Sequence, residues 1–319
     1  MATDTIFIRP MPNSSSDNHY YHLWPAQNPV AWVHIMHGMS EHGGRYAEVA
    51  EFLNAKGITV TADDHRGHGL TGSHANSLFH LADDNGWKQL IEDQWHLIGH
   101  IGKNLQLPLV ILGHSMGSYM ALGFCQQYGA SFDSDLPTEL AGLALSGSGY
   151  RHPIISHIAH YIAKIERLRL GGKAPSKLLD YVSFGQFNKQ FQPTRTDHDW
   201  ISSDSIVVDN YVQDPFCGGA ISIQSWCDFT AGLAEIFSRE QLSKLNSKLP
   251  IYLFSGSDDP VGNSGAGVEK LKQVLVQSGV SNLQLRLYQN GRHEMLKETQ
   301  RDRVYSDLLT WLQKHLRSL

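Results

Sequence analysis

Cysteine is scarce in this chain: Cys125, Cys217 and Cys227 are the three among 319 residues. So few thiols exclude a disulfide framework and are expected to stay reduced, as in a cytoplasm. Long apolar runs are also missing, and none approaches the roughly 18 residues that a membrane span needs. Met1 to Asn18 carries no basic stretch leading into an apolar one, so no secretory signal is expected. A soluble, cytoplasmic protein is the resulting expectation. Neither sign of charge dominates: 26 basic residues stand against 31 acidic, a formal net charge of −5. That balance argues against a nucleic-acid partner. Histidine is plentiful, at 18 residues, but neither His-Glu-x-x-His nor a Cys/His set with zinc spacing occurs, so no metal is expected. His34, His37 and His42 lie close together and His65 and His68 flank a glycine-rich turn. They read as surface residues or satisfied loop residues.

Hydrophobic residues make up 41% and charged residues 18%, enough to bury a core. Thr5-Ile-Phe-Ile and His19 to Trp24, separated by a polar stretch, predict an opening antiparallel hairpin. Val30 to Met36 is a continuous apolar run, as a buried strand would be. Helical spacing follows over Arg45 to Lys56, then a strand over Ile58 to Ala62 and a helix over Trp87 to Asn104. Leu109 to Gly113 reads as a strand, Met116 to Tyr128 as a helix and Leu140 to Leu145 as a strand. Alternation of this kind predicts an α/β protein with a mostly parallel sheet and helices on both faces. It stops near Gly149 and resumes with a strand over Ile251 to Phe254. A helix from Gly267, a strand over Leu283 to Tyr288 and a closing helix from Arg303 complete the chain. An interruption of this length exceeds any plain crossover. Residues 1–149 and 250–319 are therefore expected to form the core, and residues 150–249 a mainly helical cap.

Gly113-His-Ser-Met-Gly117 fits G-x-S-x-G between a strand and a helix, the setting of a nucleophile elbow. Ser115 is the expected nucleophile. A serine hydroxyl attacks poorly until a base takes its proton, and the base and its acid should follow later in the chain, each after a strand. His293, in Gly291-Arg-His-Glu-Met295, falls where the base must fall, whereas His198 and His315 lie in the cap and the closing helix. Gly256-Ser-Asp-Asp-Pro260 offers two carboxylates, of which Asp259 is the preferred acid and Asp258 a loop-capping alternative. Two amides should face the developing oxyanion: that of Met116, after the nucleophile, and that of Met39, in the loop after the third strand. Glu294 reads as a surface charge.

His37-Gly-Met-Ser-Glu-His42, Arg45-Tyr46, Asp64-His-Arg-Gly-His-Gly69, Gly113 to Gly117, Asn210 to Pro215 and Gly291 to Met295 together carry a resemblance. The chain resembles the monoacylglycerol lipase and lysophospholipase family of α/β hydrolases, also grouped with serine aminopeptidases. The likeness runs from about residue 5 to the C-terminus. It implies the α/β-hydrolase fold, an acyl-ester hydrolase without a cofactor, and a small acyl-ester or monoacyl-lipid substrate. The family triad carries onto Ser115, Asp259 and His293, and the oxyanion donors onto Met39 and Met116. Ser40 and Ser118 stand where the family often has glycine, and the cap is the least matched part.

Within the cap, Ile154, Ile158, Tyr161, Ile162, Ile165 and Leu168 recur at helical spacing, with Lys164, Arg167, Arg169 and Lys173 nearby. The stripe reads first as a cap helix packed on the core and framing an acyl tunnel. A basic amphipathic helix of this kind also suits transient contact with a membrane surface. The alternative function is a serine aminopeptidase, with Asp197, Asp199, Asp204 or Asp209 holding a substrate ammonium. A non-catalytic binding protein is disfavoured by the complete serine, acid and histidine set. A haloalkane dehalogenase is excluded by serine where aspartate is required.

Overall fold

A computed structural model describes residues 4–11, 17–136 and 138–316. Among these, eight strands form one sheet: β1 (Thr5–Pro10), β2 (Asn18–Trp24), β3 (Ala31–Met36), β4 (Ile58–Asp63), β5 (Leu109–His114), β6 (Leu140–Ser146), β7 (Ile251–Gly256) and β8 (Leu283–Tyr288). Their order is β1-β2-β4-β3-β5-β6-β7-β8. The first two pair antiparallel, β2 meets β4 antiparallel, and every later pairing is parallel.

The sheet's buried strands divide their side chains between two cores, as the two-residue period of a strand requires. Trp32, Met36, Leu109, Ile111, Ile251 and Leu253 face one apolar cluster, whereas Val33, Ile35, Val110, Leu112, Tyr252 and Phe254 face the other. The helices α1 (Ala47–Asn54), α2 (Gly69–His74), α3 (Gly86–Leu105), α4 (Met116–Tyr128) and α5 (Phe132–Asp135) precede β6. α3 and α4 cover the first core and α1 the second. After β7, α11 (Ala266–Gln277) covers the first and α12 (Arg301–His315) the second. The mostly parallel sheet clothed on both faces is the expected α/β-hydrolase architecture. No helix among the described residues is long and apolar enough to cross a membrane.

Between β6 and β7 lie α6 (Pro153–Leu170), α7 (Lys177–Ser183), α8 (Ser205–Gln213), α9 (Ile223–Ile236) and α10 (Arg239–Leu242). This stretch is not one body. Leu233, Ile236, Phe237, Leu242, Leu245 and Leu249 pack into the main core, whereas Ala163, Leu179, Ile221, Ile223, Trp226 and Cys227 make a small cluster of their own. α9 is thus the beam that ties α6 to the sheet.

The apolar stripe of α6 faces outward, contrary to the expectation that it packs on the core. Ile154, Ile155, Ile158, Tyr161 and Ile165 are more than half exposed, and Leu168 is 90% exposed. The buried side of α6 is instead Ser156, Ala163 and Glu166. Small side chains let α6 approach α9 closely, and Glu166 is satisfied by Ser176 and Arg169. Helical periodicity identifies a stripe but does not say which side of the helix is covered.

The histidines also depart from the surface reading. His19, His34, His37, His65 and His68 are fully buried. Asp63 gathers this group: its Oδ2 meets His19 Nε2 at 2.7 Å, His65 Nδ1 at 2.8 Å and the Gln94 amide at 2.8 Å. Gln94 in turn accepts from His34 at 2.8 Å. A buried carboxylate demands such partners.

Candidate active site

The chain leaves β5 at His114 and enters α4 at Met116, so Ser115 must make the whole turn. It does so at φ +51°, ψ −119°, a region that side chains rarely adopt. Its neighbours have no room for a side chain: a Cβ on Gly113 would lie 2.3 Å from the Gly117 carbonyl oxygen, and one on Gly117 2.0 Å from that of Met36. Ser118 fits because its hydroxyl donates to the Ser115 carbonyl at 2.6 Å.

His293 lies on the loop after β8, and its Nδ1 is 3.0 Å from Asp259 Oδ1. Asp259 is fully buried and also accepts from the Ser255 hydroxyl at 2.8 Å and the Val261 amide at 2.9 Å. Asp258 points elsewhere and accepts from Ser257. Burial alone would raise the Asp259 carboxyl, but the charge and hydrogen bond of His293 overcome it and hold the acid below its usual range. For His293 burial pulls downward, and the charge and hydrogen bond of Asp259, with help from Glu294 and Glu41, lift it above the usual histidine value. His114, whose ring centroid is 4.7 Å from that of His293, moves the other way: burial and the neighbouring His293 push it down to about 4. Trp200, from the stretch between β6 and β7, covers His293 with ring centroids 5.0 Å apart.

The loop after β3 is held from three directions. Glu41 accepts from the Gly38 amide and from the Tyr46 hydroxyl, and it pairs with Arg45. Arg45 also makes two 2.8 Å bonds to Glu294, which is 6% exposed and therefore no surface charge. Ser40 sits at φ +54°, where glycine would be relaxed, and its serine supplies a compensation. Its hydroxyl donates to Gly219 at 2.7 Å, while its carbonyl accepts from the Gly218 amide at 2.9 Å and the Tyr211 hydroxyl at 3.0 Å. Beneath the loop, the His65 amide donates to His37 Nε2 at 3.0 Å, so Nδ1 carries the ring proton and donates to the Gly38 carbonyl at 2.7 Å. That tautomer is neutral, in keeping with burial holding His37 well below the usual histidine range.

Ser115, His293 and Met39 open on one cavity of about 380 Å³. Met116, the first residue of α4, follows directly on Ser115, and a helix's first amides have no partner within the helix. Phe184, Trp200, Ile201 and Tyr211 form much of the wall, and Asp180, Asn188, Asp197 and His198 bring polar groups to it. Among the described residues, neither lysine nor arginine lines it. The sequence motifs flag Glu41 and Arg45 but give no role to either. Tyr211 falls within the Asn210 to Pro215 motif without a role being read from it, and the wall residues Asp180 and Trp200 carry no local signal.

The family model described as serine aminopeptidase, S33, matches residues 27–300. A monoacylglycerol lipase of Mycolicibacterium smegmatis is 28% identical over 302 residues, which cover 93% of each chain. A solved carboxyl esterase from Bacillus coagulans, in complex with glycerol, superposes with a TM-score of 0.87 at 28% identity, covering 99% of both chains. A soluble variant of the Saccharomyces cerevisiae monoglyceride lipase, in complex with a substrate analogue, shares the fold with a TM-score of 0.73 at 22% identity, covering 100% of this chain and 97% of its own.

Proposed function

The chain belongs to the serine aminopeptidase S33 family of hydrolases, and from that premise we propose that it cleaves monoacyl esters through an acyl-enzyme on Ser115. The observation that carries this reading is the His293–Asp259 pair opening on the same cavity as Ser115. In the proposed reaction Ser115 Oγ bonds to the ester carbonyl carbon while its proton passes to His293 Nε2. The amides of Met39 and Met116 receive the negative oxygen. Collapse breaks the carbon–oxygen bond, and the His293 proton leaves with the alcohol. Water, deprotonated by the same ring, then releases the carboxylic acid and restores the serine.

A wall without lysine or arginine but with Asp180 and Asp197 supports a neutral headgroup such as glycerol over a phosphate-bearing one. The same two carboxylates favour the second reading, an aminopeptidase, because they could hold a substrate ammonium. Asp199, Asp204 and Asp209 are less suited: they are engaged by Thr196, by the Ile206 amide and Arg301, and by Arg195 respectively. A panel of short to long p-nitrophenyl esters, monoacylglycerol, lysophospholipid and aminoacyl-anilides separates the readings. We expect monoacylglycerol to lead and anilides to trail. An anilide preferred over every ester would replace the esterase with the peptidase.

His293 must be neutral to act as a base. Since Asp259 raises it, kcat/KM for a soluble ester should climb with pH through an inflection above the usual value of 6.5. An inflection at or below that value would contradict the proposed pairing.

We further assign residues 150–249, apart from the part of α9 and its sequel within the core, as a cap. Its outward apolar stripe, with Lys164, Arg167, Arg169 and Lys173 close by, supports transient contact with an anionic lipid surface. The double variant Ile158→Asp, Leu168→Asp should bind anionic vesicles at least about tenfold more weakly. Hydrolysis of a soluble acetyl ester should be unchanged, because neither residue lines the cavity. Equal vesicle binding by both proteins would remove the membrane role. The free thiols Cys125, Cys217 and Cys227 support a reducing, cytoplasmic compartment.

A further inference from the structure

Away from the cavity, three potential ligand groups converge at the root of the loop after β3. His22 is on β2, His42 lies on that loop, and Asp64 directly follows β4. One ligand atom from each lies within 4.8 Å of the others. We propose that His22 Nε2, His42 Nδ1 and Asp64 Oδ1 form a binding site for a divalent transition ion of the zinc class.

His22 is the strongest witness. It is 5% exposed, yet its Nε2 is buried without a hydrogen-bond partner, 3.8 Å from Asp64 Oδ1. Leaving such a nitrogen unserved is costly. The other nitrogen, Nδ1, is 3.1 Å from the Asp4 carboxylate, and the ring stacks on Trp24 at 5.3 Å. His42 repeats the arrangement: its Nε2 is 2.9 Å from Asp214 Oδ2, which leaves Nδ1 as the ligand atom. Both rings turn toward Gly44, where an added Cβ would sit 3.1 Å from His22 Cε1 and 3.1 Å from His42 Nδ1. A histidine oriented by a carboxylate on one nitrogen and open on the other is the usual posture of a metal ligand. Asp64 is 1% exposed, and amides of Gly43 and Leu70, at 2.9 and 2.7 Å, already hold its carboxylate in place.

Two imidazoles and one carboxylate suit zinc, with water completing the shell. The ligand edges of a tetrahedral zinc are about 3.4 Å. Rotation of the His42 ring, whose side chain is 17% exposed, can close the remaining gap. An ion there would tie β2 and β4 to the loop that carries Met39.

The test uses metal-stripped full-length protein titrated with Zn²⁺, followed by calorimetry and thermal unfolding, with Co²⁺ absorption reporting geometry. One equivalent should bind and raise Tm by a few degrees at saturating zinc. His22→Gln and His42→Gln should each weaken binding more than about 100-fold, and Asp4→Asn about tenfold. Each variant should unfold within about 2 °C of the parent in chelator, showing that the fold is kept. Cys217→Ser should bind as the parent does. No binding by the parent, or unchanged affinity in both histidine variants, would overturn the site. Loss in both His42→Gln and Cys217→Ser, with His22→Gln binding as the parent does, would overturn it too, since it would place the ion among His42, Asp214 and Cys217.

Discussion

Ser115→Ala should lower kcat for ester hydrolysis by on the order of 10⁴ to 10⁶. The alanine keeps the turn, since Ser115 contributes no hydrogen bond from its hydroxyl to the elbow, whereas Ser118 does. Far-UV circular dichroism and Tm should therefore match the parent closely. What remains of the rate would come from the Met39 and Met116 amides and from substrate binding. Turnover near that of the parent, in a preparation free of contaminating esterase, would remove Ser115 from the reaction. A p-nitrophenyl acetate burst present in the parent and missing from the variant would show directly that the acyl group resides on this residue.

Asp259→Asn should follow closely, with kcat reduced by about 10⁴, and Asp258→Asn should stay within about threefold of the parent. Asparagine preserves the shape of the side chain but can offer His293 Nδ1 an amide N–H, which favours the wrong tautomer. It also removes the charge that lifts His293, so any residual activity should show its acid limb displaced to lower pH. Among the described residues Asp258 has no such partner; its carboxylate meets the neighbouring Ser257 hydroxyl. The opposite ranking of the two variants, on folded protein, would transfer the acid role to Asp258.

Much of this site is legible in the sequence because its parts are local. The elbow compresses strand, turn and helix into five residues, and two of them must be glycine for reasons that contact distances make plain. The sheet is legible for a similar cause, since buried parallel strands are short apolar runs between helices. Glu294 is misread because its partner, Arg45, lies 249 positions earlier, and nothing adjacent to Glu294 signals burial. The outward stripe of α6 is misread because a helix's period is the same whether water or protein meets its apolar side. α9 escapes clean division for a related reason: its first half serves the small cluster and its second the main core. The histidines required knowing that Asp63, at the end of β4, points into the protein beside His19 of β2, His34 of β3 and the nearby His65.

Those histidines make unfolding a proton-uptake reaction. Burial foremost holds His34, His37, His68 and His114 below the usual 6.5, the last two at about 4. Below 6.5 the unfolded rings take up protons that the folded ones refuse, so stability is present above that pH and lost as pH falls toward 4. His293, raised by Asp259, opposes this with a single group. The urea midpoint should therefore drop steadily between pH 7 and 5, and near pH 6 the calorimetric enthalpy should vary with the ionisation heat of the buffer. A midpoint flat across that interval would mean the rings are not neutral in the folded protein. A hydrolase built this way carries its acid limit in its interior, apart from His293, and loses its fold in the same direction in which that proposed base becomes protonated.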